Sequence, residues 1–281
     1  MQMTFFWVSV AIGLALATMI GWRQLDRIAD RAEQARLRAF QPSAPPRFSF
    51  DMVADLPDPA RRFFLFSIAD GTPLNRVVEL EMAGKFSLGT KEAPNYMAMT
   101  AQQVLAAPEG FIWSMSAKSA VMRVSGSDSA KWTRFWVGGV VPVARLGGDA
   151  DHKRSAFGRY AAEALFWSPA TFLPGPGVTW EAVSKDTARA TLRHGSLAQT
   201  VEIVVADDGQ PLHVSFARWS NANPDKVFRL QPFGGYLSSF TDVAGFRLPT
   251  HVEAGNHFGT DDYFPFFVVD VTQIRFPSPQ R

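Results

Sequence analysis

Hydrophobic positions along the chain follow three successive rhythms. The first is an uninterrupted apolar run from Thr4 to Trp22, "TFFWVSVAIGLALATMIGW", without a charged residue. Spanning bilayer hydrocarbon takes roughly 20 apolar residues at helical rise, so residues 4–22 are expected to form a single transmembrane helix. A cleaved signal peptide competes with this reading, but its basic leading segment is missing and the run exceeds the usual apolar stretch of such a peptide. The second rhythm is helical and polar. "RQLDRIADRAEQARLRAF" places Leu25, Ile28, Ala32, Ala35 and Ala39 on one narrow stripe. Either a stalk carries the span into water, or a helix lies on anionic headgroups. Alanine buries little area, which favours the stalk. "QPSAPPRF" then breaks the helix, because its prolines fix φ and remove donors. Residues 23–47 therefore read as a charged stalk and proline-rich linker, and residues 48–281 as a β-rich globular domain.

The third rhythm has period two. After a proline-started helix in "DLPDPARRFFLFSIADG", strands are predicted at Arg76–Phe86, Tyr96–Ala106, Phe111–Lys118, Val121–Ser125 and Trp132–Val137. Further strands are expected at about Thr187–Arg193, Thr200–Val205, Leu212–Trp219, Tyr236–Asp242, Arg247–Ala254 and Phe264–Phe276. Asp-Gly in "ADDGQP" marks a hairpin. About ten or eleven strands on short connections, with few helices, imply an antiparallel sheet, since parallel crossovers need a helix between most strands. The expected fold is α+β: a large curved antiparallel sheet, a half-open barrel, with one wet face and one face covered by a central helix.

That helix lies in "HKRSAFGRYAAEALFWSPATFLPG". Phe157, Tyr160, Ala161, Ala164 and Leu165 form its apolar stripe, whereas His152, Arg159, Glu163 and Phe166 share the other side. Arg159 and Glu163 are four apart. They are either a surface ion pair worth a few tenths of a kcal/mol, or a desolvated pair facing a trough. Phe166 beside them favours the trough, because a wet face has little use for phenylalanine.

Composition narrows the function classes. A formal net charge of +2, close to balance, gives no nucleic-acid footprint, and with no cysteine there are no disulfides or thiolates. No dinucleotide, phosphate-loop or Gly-x-Ser-x-Gly spacing occurs, so no cofactor is expected. His251 and Glu253 share a strand face as conceivable metal ligands, but without a fixed ligand spacing they read as wet-face residues and no metal is expected. Core packing is the default reading of Phe111, Trp113, Trp132, Phe135 and Trp136; Trp132 and Trp136 fall on one strand face and Phe135 on the other, and only if turned to a trough would the tryptophans supply an apolar wall. Arg23, Arg27, Arg31, Arg36 and Arg38 all follow the apolar run. The positive-inside rule would put that side in the cytoplasm, although the side of the domain stays open.

Several spaced motifs, in order, resemble an uncharacterised family of bacterial single-pass membrane proteins with a domain of unknown function. They are Arg159-Tyr160-x-x-Glu163, Trp167-x-Pro169, Trp180-Glu181, Asp208-Gly209 and Gly245-x-Arg247-x-Pro249, and the likeness runs from about Asp55 to Phe276. "FARW" departs from the pattern, where an Arg-Tyr pair is commoner. The resemblance implies attachment to a bacterial cytoplasmic membrane and, by fold analogy alone, the half-barrel of lipoprotein carriers. The expected ligand is a membrane lipid or other apolar small molecule, near Arg159, Tyr160, Glu163, Phe166, Trp167 and His152. Two alternatives stand beside it: an interaction module recruiting an envelope protein, and an enzyme using Glu163 as acid or base.

Overall fold

The computed structural model describes residues 2–278. Helix α1 (Gln2–Arg38) comes first, followed by a 3-10 turn at Phe50–Val53 and α2 (Asp58–Ser67). Strands β1 (Val78–Ser87), β2 (Tyr96–Ala106), β3 (Gly110–Lys118), β4 (Arg123–Ser129), β5 (Trp132–Val137) and β6 (Val141–Gly147) form a meander. Next is α3 (Ala150–Trp167). A second meander holds β7 (Val178–Ala182), β8 (Thr187–His194), β9 (Leu197–Val205), β10 (Pro211–Ser220), β11 (Arg229–Val243), β12 (Phe246–Asn256) and β13 (Phe264–Arg275). Among the described residues these thirteen strands make one antiparallel sheet, in the order 6-5-4-3-2-1-13-12-11-10-9-8-7.

Only one pairing in that order is not between sequence neighbours: β1 with β13, from Glu79 opposite Arg275 to Phe86 opposite Phe267. The first meander thus ends at one edge, β6, and the second begins at the other, β7. The chain must cross from edge to edge, and α3 makes that crossing. It packs mainly on β9 and β10 yet also touches β2, β3 and β6, so the sheet wraps around it. Asp149 caps the helix start by accepting from the His152 backbone N–H at 2.7 Å, and Pro169 prevents its continuation. Gly158 allows close approach, since a Cβ there would lie 2.7 Å from the Gln199 amide oxygen. Helix α2 packs Phe63, tilted, and Phe64, edge-on, against Trp180 of β7, while Arg62 donates to the carbonyls of Lys185 and Ala206. Gly209, at φ +90°, makes the Asp-Gly turn and leaves no room for a side chain against the Arg62 carbonyl.

Three expectations are corrected. Two strands exceed the predicted count: β6, whose "VPVARLG" pattern a proline and flanking glycines obscure, and β7. More consequentially, the segment after residue 22 is no free stalk. Helix α1 runs on unbroken and lies along the outer face of the first meander, so that face is not simply wet. The side turned inward is not the apolar stripe: Leu25 and Ile28 are exposed, whereas Arg23, Asp26, Glu33 and Leu37 are buried. Asp26 accepts from Arg145, Arg134 and the Trp136 indole, Asp30 from Ser127, and Glu33 from Arg36 and Lys131. Burial would raise the Asp26 and Glu33 carboxyls, but these donors outweigh it and hold both below their ordinary values. Leu37 completes the contact against Val77, Val104, Ala106 and Ile112. Finally, Trp132 and Trp136 face this helix rather than a trough; Trp22 packs edge-on against Trp136 at 5.6 Å.

Candidate functional site

Period-two alternation sends the other face of each strand inward toward α3. Met97, Met99, Ala101 and Leu105 of β2, Phe111 and Trp113 of β3, and Val214 and Phe216 of β10 share one hydrophobic core with the buried side of α3. That side is Phe157, Tyr160, Ala161, Ala164 and Leu165, the stripe the periodicity predicts. Packing is not solid, however. Beside the Arg159–Glu163 side of α3 lies a cavity of about 230 Å³. Its wall is built chiefly from Trp113, Phe135, Phe216, Phe233, Phe266 and Phe267, with Val214, Leu237 and Val252 between them. Phe86, Phe233, Phe266 and Ala254 keep partial exposure, which opens the cavity at their end of the sheet.

A polar chain runs along one side of this cavity. Arg159 Nε donates to Glu163 Oε1 at 2.8 Å and an Arg159 terminal nitrogen to Asp128 Oδ2 at 2.6 Å. Gln103, buried on β2, donates to Glu163 Oε2 at 2.6 Å. Thr133 donates to Asp128 Oδ1 at 2.5 Å and lies 3.1 Å from His152 Nε2. With its proton given to Asp128, the Thr133 oxygen accepts from that imidazole. The Arg159 guanidinium also sits 4.9 Å from the Phe111 ring and 5.0 Å from that of Trp113. Burial alone would lower the Arg159 pKa, but Glu163 and Asp128 prevail and raise it. Both oxygens of Glu163 are thus taken by fixed donors, an arrangement that locks a guanidinium rather than freeing a carboxylate for proton transfer.

Of the six expected ligand residues, Arg159, Glu163, Phe166 and Trp167 line the cavity. Trp167 also donates its indole N–H to the Pro249 carbonyl at 3.1 Å. Tyr160 points elsewhere: its hydroxyl donates to the Pro108 carbonyl at 3.1 Å, and burial pushes its pKa well up. His152 joins only through Thr133. His251 and Glu253 lie on the outer face, where His251 Nδ1 is 2.7 Å from Asp270, and no group of three or more metal-ligating side chains occurs among the described residues. Sequence reasoning missed Asp128, Gln103 and Arg218. Arg218 carried a usable signal, because it falls on the same strand face as Val214 and Phe216.

A model of a family of unknown function, DUF6544, matches residues 46–269. The chain belongs to DUF6544. The match begins after α1 and includes every residue that lines the cavity. No curated protein matches the chain in sequence. Among solved structures, this DUF6544 chain is similar to a LolA superfamily protein from Nitrosomonas europaea, at 12% identity and a TM-score of 0.39, covering 78% of this chain and 92% of that one. A putative outer membrane lipoprotein-sorting protein domain from Vibrio parahaemolyticus matches at 9% identity and 0.38, over 73% and 87%. A DUF1329 family protein from Desulfovibrio piger matches at 10% and 0.38, over 80% and 92%.

Proposed function

We propose that this DUF6544 chain is a single-pass protein of the bacterial cytoplasmic membrane whose domain binds a lipid or other apolar small molecule between its sheet and α3. The carrying observation is the cavity. Protein interiors are close-packed with few voids larger than a water molecule, whereas 230 Å³ here is bounded largely by aromatic and aliphatic side chains. Away from the Arg159–Glu163 chain this wall is apolar, and concave apolar walls with a few convergent polar groups are the usual setting of small-molecule sites. The volume lies below the roughly 300–1,000 Å³ of typical small-molecule pockets, so it suits one chain or ring rather than a many-chained lipid. Membrane attachment is supported by the mean hydropathy of 2.0 in the apolar half of α1, which is wholly unburied.

The test is to purify the full chain in amphipol and to analyse organic extracts by mass spectrometry. An apolar species retained by the wild type and lost from Ala254→Phe, which fills the cavity from β12, is expected. Wild-type protein with no such species, and no uptake of a fluorescent alkyl probe, would sink the proposal.

A further inference from the structure

Two donors in the cavity wall lack acceptors. Arg218 Nε and the Trp113 indole Nε1 are both sealed from solvent without a hydrogen-bond partner, and both residues line the same cavity. Native interiors leave few buried donors unpaired, so two in one apolar chamber require an explanation. Among the described residues the other two unpartnered atoms, Arg23 Nε and His213 Nδ1, belong to residues outside it.

Arg218 is the stronger of the pair. Its guanidinium lies 4.9 Å from the Phe233 ring. The carboxylates that share its surroundings, Asp128 and Glu163, are engaged by Arg159. Two acids therefore face two arginines, but the geometry pairs both acids with one of them. Burial, with added repulsion from Arg159, lowers the Arg218 pKa to about 10, and the two acids offset only part of this. It remains a cation at neutral pH without a counter-ion at hydrogen-bonding distance.

We infer that the ligand of this cavity is a single-chain amphiphile with an anionic headgroup, a carboxylate or a phosphate, received by Arg218 and the Trp113 N–H. The inference rests on the apolar-ligand reading and adds the headgroup. A guanidinium fork fits carboxylate and phosphate oxygens in two-point fashion, the indole supplies a further neutral donor, and Phe216, Phe233, Phe266 and Phe267 receive the chain. The small volume limits the ligand to one chain.

The full chain in lipid nanodiscs is titrated calorimetrically with octanoate, octyl phosphate and octan-1-ol, empty nanodiscs serving as reference. The two anions are expected to bind at least about tenfold more tightly than the alcohol, the scale of a charge-assisted hydrogen bond. Arg218→Gln removes that preference and leaves octan-1-ol within about twofold, Arg218→Lys keeps part of it, and Trp113→Phe weakens only the anions, by roughly threefold. With the preference intact, the tighter anion tells a carboxylate source from a phosphate one. Alcohol binding as tight as octanoate, or a preference that survives Arg218→Gln in a variant melting like the wild type, overturns the headgroup assignment and leaves the apolar-ligand reading standing. Failure of all three probes overturns both.

Discussion

One sheet carries a helix on each face, and the two contacts differ in how charge and space are shared out. Outside, α1 meets β4, β5, β6 and the β4–β5 turn through Asp26, which gathers three donors, Glu33, which gathers two, and Asp30, which takes one, and Leu37 fills the apolar remainder. Inside, α3 meets the strands through carboxylates gathered by a single arginine, which leaves Arg218 without an acid and a void beside it. Similar residue types produce a closed joint on one face and an open one on the other. Buried ion pairs alone therefore do not mark a site, and neither does a lone unpaired donor, since Arg23 Nε lacks a partner beside a polar hollow on the outer face; unpaired donors inside a largely aromatic wall do.

Substitutions can break this contrast, and the largest effect is expected at the closed joint. Asp26→Ala strands Arg134, Arg145 and the Trp136 indole, and breaking a buried pair in this way costs about 3–5 kcal/mol. Limited proteolysis within residues 23–38 should rise sharply, with α3 still protected. Leu37→Ala should cost about 2–4 kcal/mol in denaturant titrations, whereas Leu237→Ala, whose side chain already borders a void, should cost roughly 1 kcal/mol less. Equal losses at the two leucines would mean the inner joint is as tight as the outer one. Glu163→Gln should cost only about 1–2 kcal/mol and retain ligand, because Asp128 still holds Arg159.

Acidity separates the faces further. Asp26 and Glu33 titrate below their ordinary values of 3.8 and 4.5, so they contribute stability above those values that disappears as pH falls through the depressed ones. Asp30, raised by burial, works in the opposite sense, gaining stability as it protonates. The net expectation is release of α1 below about pH 4, read by proteolysis. The smallest effect is on the outer surface. The hydrogen bond to Asp270 raises His251, so its stabilisation is complete below 6.5 and fades as pH climbs through the raised value. His251→Gln should flatten the change in melting temperature between pH 6 and pH 8.

Much of the inner face was legible in the residues. The alternation of β8 to β10, the Asp-Gly turn and the α3 stripe follow from local periodicity, as does the neighbourhood of Arg159 and Glu163. What escaped depends on distant pairing. Trp132 and Trp136 announce a shared face, but only α1, more than 90 residues earlier in the chain, decides which. The inward stripe of α1 is polar, and a search for apolar spacing selects its exposed Leu25 and Ile28 instead. Asp128 sits in "RVSGSDS", where nothing local tells that Arg159 lies opposite. Gln103 in step with Met99, Ala101 and Leu105, and Arg218 in step with Val214 and Phe216, were the missed clues that needed no partner to interpret.

The unbroken course of α1 has a mechanical result. At 1.5 Å per residue its 37 residues make a rod of roughly 55 Å, and the sheet is bolted to it from Trp22 onward, where the apolar stretch ends. No slack tether intervenes. With the apolar half set in a bilayer as proposed, a change in its tilt would swing the whole sheet, and the cavity mouth would travel with it as a fixed lever arm.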